Sequence, residues 1–526
     1  MFYHSRILLA LLSLIGLFFG SCANIKNISG GPDDKTPPKI LTEKSTQNFS
    51  KNFNSRKIIL TFNEWVTLNN PVQNIIISPP TEYPLKYKLQ KKSLVIEFNE
   101  KENLKDSTTY TINIGESIKD LTAQNPASNI KFIFSTGDVI DSLQIKGSVR
   151  DAKTLKGQEK ALVLLYSNLN DSVISKIKPD YFSWTDKDGN FEVDNLRQGT
   201  YRIFTILDKN QNYIYDQPSE SIGFQNEYIQ LSDTLNQDFL LWISQEKLPL
   251  TIKDFKIVPG KGTFVFNRAS SDLKINLTNA INKFIWNAKD SLVFWYESDT
   301  SSLGILQYEN KTDTVNLPPF NKNQIKSKKE TLTAISRFIK PGQPLKISGT
   351  DAINSVDSTK VKILNGTFLK MVLNQDDPRI IELYSNFHDL AEDIVVLDSF
   401  FTKSINGLYN SHDSIRLNII NEKSLSKLKV TIEGLTPGIQ YIFQVLDKDK
   451  VITENIFLAN SEKQITNLTS IDPGKYSARL ILDQNKNKEW DPVNFIKKNQ
   501  PEKIWVWPLE ELRPDWEIEV TLNLNK

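Results

Sequence analysis

Two stretches of the chain place oxygen-bearing side chains at a spacing that a hard cation uses. Asp208, Asn210, Asn212 and Asp216 stand at relative positions 1, 3, 5 and 9, and Asp483, Asn485, Asn487 and Asp491 repeat the set. Acceptor oxygens at alternate positions suit calcium, and calcium-binding loops between helices begin this way. Position 6 is Tyr213 or Lys488 where such loops place glycine, and position 12 is Ser219 or Asn494 rather than glutamate. With two carboxylates per loop, calcium affinity would be low. The spacing leaves two readings open: a calcium seat, or a polar hairpin whose side chains bond their own backbone. Asp186, Asp188 and Asn190 form a shorter run that reads as a tight turn at Asp188-Gly189.

Other chemistry has little material. Of three histidines, His388 and His412 lie in the body of the chain, and no nucleophile elbow, zinc-helix motif or phosphate loop accompanies them. A glycosidase-type carboxylate pair is not visible in sequence, because any two acids can converge in space. Trp490, Trp505, Trp507 and Trp516 cluster late in the chain. The alternation in Ile504-Trp505-Val506-Trp507 would put both tryptophans on one strand face, where they would serve as core or stack against sugar rings. A formal charge of +2 supplies no basic field for nucleic acid. A non-enzymatic protein is expected.

These residues sit on short runs with β-branched or aromatic residues at period two: KIILTFNEWV (57–66), SLVIEF (93–98), TYTINI (109–114) and IKFIFS (130–135). Similar runs recur to the C-terminus, so the class is all-β, with tandem sandwiches. Lys328–Phe338 is the most plausible amphipathic helix. Gly199–Asp216 and Gly474–Asp491 align without gaps at an offset of 275, with 8 identities in 18 positions, which argues for a duplicated unit.

Several motifs resemble known families. Ile7–Phe19 is an apolar run of 13 residues, too short to span a bilayer, followed by Gly20, Ser21 and the sole cysteine, Cys22. This resembles a lipobox, which implies a 1–21 signal peptide, acyl chains on Cys22 and a 22–38 tether rich in Asn, Gly, Ser, Asp and Pro. Phe62-x-Glu64-x-Val66, Thr108-x-Tyr110-x-Ile112 and Phe134-Ser-Thr-Gly137 resemble the bacterial Ig-like domain of S-layer proteins and lipoproteins, over 39–137. Residues 138–245 resemble the carboxypeptidase regulatory-like, transthyretin-type sandwich, and 421–526 repeats that unit. Between them a sandwich-like domain is expected over 246–355 and a β-rich Ig-like segment over 356–420, divided near Gly349. The leader is similar to that of Bacteroidota lipoproteins, in which Asp-Ser/Thr sequences resemble an O-glycosylation signal. The acceptors would be Ser142, Ser172, Thr234, Ser291, Thr314, Ser358 and Ser414, whereas Ser107 falls within the Ig-like motif.

The resemblances imply a lipid-anchored scaffold or binding protein in the outer membrane, leaning to the periplasmic face. Its partners would be the membrane, through the N-terminal lipid, and a protein or glycan of the envelope. An accessory subunit of an outer-membrane assembly, secretion or motility complex, or a glycan-binding or glycan-hydrolysing surface protein, are the alternatives. No cofactor is required beyond the calcium reading.

Overall fold

Alternating apolar residues make strands here because each inward side chain finds a second sheet to cover it. The computed structural model describes residues 35–114, 117–127, 130–232, 238–270, 272–320, 329–386 and 391–525. Cys22, Thr234 and His388 lie outside these residues. The protein is all-β: among the described residues the only α-helix is the four-residue Pro71–Asn74. The chain divides into two compact units, Met1–Val149 with Gly157–Asp216 and Phe224–Leu241, and Arg150–Lys156 with Gln217–Gly223 and Trp242–Lys526. The division runs through the second sandwich.

In the first unit, Ser93–Glu97 pairs with Lys57–Thr61 and Lys86–Gln90, and Thr109–Asn113 with Ile76–Ser78 and Lys131–Ser135. Ile58, Leu60, Phe62, Leu94 and Ile96 share one core with Tyr110, Ile112, Phe132 and Phe134. The motif residues Phe62, Val66, Tyr110, Ile112 and Phe134 are therefore core, each worth about 1.5–3 kcal/mol on burial. Tyr110 stacks on Phe134 with centroids 5.3 Å apart. Beyond this sandwich, Leu162–Tyr166 is wholly buried between Tyr181–Trp184 and Gly199–Ile206. The turn at Asp188-Gly189 closes as the sequence suggests, with Gly189 at φ +82°. Gly157 is needed opposite it, since a Cβ there would meet the Asp188 carbonyl oxygen at 1.9 Å.

In the second unit three larger cores follow among the described residues. One runs from Leu250 to Leu317. The next runs from Leu332 to Leu417, and the last from Leu428 to Leu524. Two expectations are corrected. Gly349 is no boundary: Leu332–Ala334 and Leu345–Gly349 pair with each other, and Leu345–Gly349 with Ile380–Asn386, so both belong to the fourth sandwich. Nor does a helix form at Lys328–Phe338. Of its described part, Leu332–Ala334 is a strand and Phe338 begins a two-residue strand parallel to Asp413–Ile419. Burial of Leu332 and Ile339 on the fourth core outweighs the local helical pattern. In the fifth sandwich, Glu517–Asn523 runs parallel to Ser426–Glu433, from Lys427↔Glu517 to Glu433↔Asn523.

Buried and half-buried tyrosines tie loops to strands. The hydroxyls of Tyr201 and Tyr476 donate to the carbonyls of Arg197 and Asp472, four residues upstream, at 2.8 and 2.9 Å. Those of Tyr110 and Tyr441 accept the amides of Lys105 and Thr436, five residues upstream, at 2.9 and 3.1 Å. Both pairs are tyrosine corners. Tyr441→Phe keeps the ring packing and loses one bond, so urea denaturation should show about 1 kcal/mol of destabilisation.

Candidate functional site

The repeated loops are built alike, bond for bond. Asp208 accepts the backbone amides of Asn212 at 3.2 Å and Tyr213 at 2.7 Å. Asp483 accepts those of Asn487 at 3.1 Å and Lys488 at 2.8 Å. Asn212 and Asn487 each accept the amide two residues on, from Ile214 and Glu489, at 2.8 Å. The side-chain amides of Asn210 and Asn212 donate to Asp216, and those of Asn485 and Asn487 to Asp491. Left-handed backbone recurs at Gln211 and Tyr213 and at Lys486 and Lys488, with φ between +59° and +66°.

Every predicted loop residue is thus brought together, and the hairpin reading describes what these side chains do. Asparagine N–H groups, rather than oxygens, face Asp216 and Asp491. Among the described residues no three His, Cys, Asp or Glu side chains form a group able to hold a metal ion. The donor set as arranged does not fit a calcium seat. Asp483 is fully buried and also takes the side-chain amide of Gln440 at 2.6 Å.

Sequence reasoning missed Glu502. Its two oxygens accept the backbone amides of Gln484 at 2.9 Å and Asp491 at 3.0 Å, clamping both ends of the second loop. It lines a cavity of about 670 Å³ with Lys247, Leu482, Asp491, Val493 and Lys498. The flap beyond is pinned where Val493 donates to Ser244 at 2.9 Å and Phe495 to Glu246 at 2.7 Å. Burial pushes the Glu502 carboxyl up to about 7; the two amides oppose this, and the charges of Asp491 and Asp483 add to it. Only the loop's position in space could have revealed this residue, which lies 19 positions after Asp483.

The remaining candidates separate. His412 is exposed, with Nδ1 3.2 Å from Asp398, while the neighbouring Ser399 hydroxyl accepts the His412 backbone amide rather than meeting its ring. This is no hydrolytic triad. Trp505 and Trp507 share a strand face and pack on the fifth core, and Trp505 donates to Leu524 at 3.2 Å. Trp490 donates to Glu502, and Trp516 is exposed beside Arg513. Ser142, Thr314, Ser358 and Ser414 are exposed, whereas Ser172 and Ser291 donate their hydroxyls to Asn170 and Asp290.

Comparison with known proteins places the first sandwich. Residues 34–136 match the family described as bacterial Ig-like domain. The chain carries such a domain there, close to the 39–137 expected. No curated protein matches the chain. Among solved structures, the major pilin subunit BcpA of Bacillus cereus aligns at 10% identity and TM-score 0.16, over 73% of this chain and 99% of that one. Domains 1–6 of the surface layer protein SbsC align at 13% identity and TM-score 0.15, over 86% of this chain and 64% of that one.

Three outcomes follow from the loops. Lys488 is exposed and pays for a left-handed backbone, so Lys488→Gly should stabilise the protein by about 0.5–1 kcal/mol in urea denaturation. Tyr213→Gly should not, because it also removes the ring stacked edge-on to Phe182. Loops closed by their own bonds should melt identically in millimolar calcium and in chelator; a higher melting temperature in calcium would mean that the amides yield to an ion. The Glu502 value lies above the unfolded value of about 4.3. The stability it lends is therefore complete below that value and lost as pH rises through about 7. Glu502→Gln, which turns a donor onto one of the two amides, should be less stable than the parent at pH 5, with the gap closing towards pH 8.

Proposed function

We propose that the protein is a non-enzymatic, lipid-anchored scaffold or binding protein of the cell envelope. The observation that carries this reading is the bacterial Ig-like domain at 34–136, set directly after Cys22 and a polar tether. Sandwich cores follow it to the end of the described chain, and each is filled by side chains rather than opened around a ligand. Such a chain offers surface and reach more than a reaction centre. No described helix is long and apolar enough to cross a membrane, so the acyl chains on Cys22 are the anchor in this reading. Two or more chains are needed for stable attachment, since one is marginal.

The outer membrane, with the sandwiches on its periplasmic face, is the proposed location. The exposed hydroxyls of Ser142, Thr314, Ser358 and Ser414 are the proposed glycan acceptors best placed for modification. Calcium is not needed for this role.

Cys22→Ala should release the protein from the membrane fraction into the soluble fraction, and unchanged retention would overturn the anchor. Protease treatment of intact cells should leave the parent protein uncut if it faces the periplasm.

A further inference from the structure

The third and fourth sandwiches meet at a cluster that no sequence motif announced. Asp351 follows the strand Leu345–Gly349 of the fourth sandwich. Its Oδ1 accepts from Lys261 Nζ at 2.9 Å and Trp295 Nε1 at 3.1 Å, both on the third sandwich. Its Oδ2 accepts from Asn406 at 3.1 Å. Trp295 is fully buried, packed with Val293 and Ala352 in a small core of its own. Lys261 lies 5.0 Å over the Trp295 ring, and Arg379, paired with Asp377, lies 4.2 Å over Trp286. The junction is therefore one carboxylate holding a cation and an indole from the neighbouring sandwich, sealed by apolar contacts.

Behind Asp351 sits Glu330, 3% exposed. Its Oε1 accepts the Asp351 backbone amide at 3.0 Å. Its Oε2 is buried and has no hydrogen-bond partner. A Cβ on Gly349 would come within 2.8 Å of Oε1, so the carboxyl is packed on that side. A sealed carboxylate with one oxygen unpartnered and a second carboxylate next to it is a poor place for charge, whereas a neutral acid costs far less there.

We propose that ionisation of the sealed Glu330 carboxyl loosens the junction between the third sandwich and the fourth. The groups facing it set the sign. Burial raises its carboxyl above the ordinary range, the amide of Asp351 opposes this, the Asp351 charge adds to it, and the amide of Thr350 and the charge of Lys261 oppose it. Burial works against the Asp351 carboxylate too, yet Lys261, then Trp295 and Asn406, hold it below the usual range. From the remaining neighbours, the Glu330 amide meets Tyr409, whose ring carries Lys403, and Arg379 contributes only its carbonyl to Gly349, its guanidinium being turned to Asp377. Because the folded value is raised, the junction is complete below the ordinary glutamate value and weakens as pH rises through the folded value. A charged Glu330 repels Asp351, which is the group that holds Lys261 and Trp295.

Hydrogen exchange of the full chain tests this, with rates corrected for the intrinsic effect of pH and followed for the peptides covering Ser291–Glu297 and Gly349–Ile353. The parent should lose about tenfold protection in both as pH rises from below the ordinary glutamate value of about 4.3 to neutral and beyond, while the other sandwiches change little. Glu330→Gln should keep protection across the range, and Lys261→Met should lower it at every pH. Equal pH dependence in the parent and Glu330→Gln would overturn the proposal. Should Glu330→Gln fail to fold, a carbon-13 titration of glutamate side chains in the parent decides: a carboxyl set with no member titrating above the ordinary glutamate range, apart from Glu502, would overturn it.

Discussion

A chain of many short strands must find partners for backbone amides wherever a strand stops, and where carbonyls do not reach, buried carboxylates take several of them at once. Glu102, 5% exposed, takes the amides of Glu82 and Tyr83. Asp120 takes those of Thr122 and Ala123. Asp393 takes those of Asn365, Gly366 and Ile394, and Asp483 those of Asn487 and Lys488. A carboxylate has four lone-pair sites and so satisfies several donors at once. Charge-assisted bonds of this kind offset the desolvation of the acid, which a single neutral bond would not. These loops are thereby fixed by their own acids, and the sheets can stay short.

How much of this was legible depends on distance along the chain. The Ig-like core could be read because Phe62, Tyr110 and Phe134 alternate within their own strands, and period two is a local signal. The tryptophan pair at 505 and 507 was legible for the same reason. The repeated loops could be aligned residue by residue, and their backbone-bonded form was one of two readings the spacing allowed. Glu502, Glu330 and Asp351 were not legible. Each acquires its role from groups far away in sequence: Glu502 from the amide of Gln484, Glu330 from Gly349 and Asp351, Asp351 from Lys261 and Trp295. The helix expected at Lys328–Phe338 failed because two short strand pairings to residues well downstream outweigh a local pattern. The boundary expected at Gly349 failed because a glycine that accommodates a buried acid looks, in sequence, like a glycine that ends a domain.

The two loops share a frame and differ in what surrounds it. Backbone angles and the carboxylate bonds are held in common, while position 6 differs: Tyr213 packs against Phe182, and Lys488 stands in solvent. The copies differ again in their cover. The second acquires Glu502 and a pinned flap that border a cavity beside it. One hairpin frame thus carries two different surroundings without a new fold.

The parallel pairing of Ser426–Glu433 with Glu517–Asn523 has a mechanical consequence. These are the first and last strands of the fifth sandwich, and they run side by side in the same direction over seven residue pairs. Tension along the chain pulls the start of one strand and the end of the other, so the interstrand bonds are loaded together in shear. Antiparallel neighbours joined by a hairpin would instead open one bond at a time, like a zip. A sandwich wired in this way resists being pulled apart by its two ends more than one closed by a hairpin pair would.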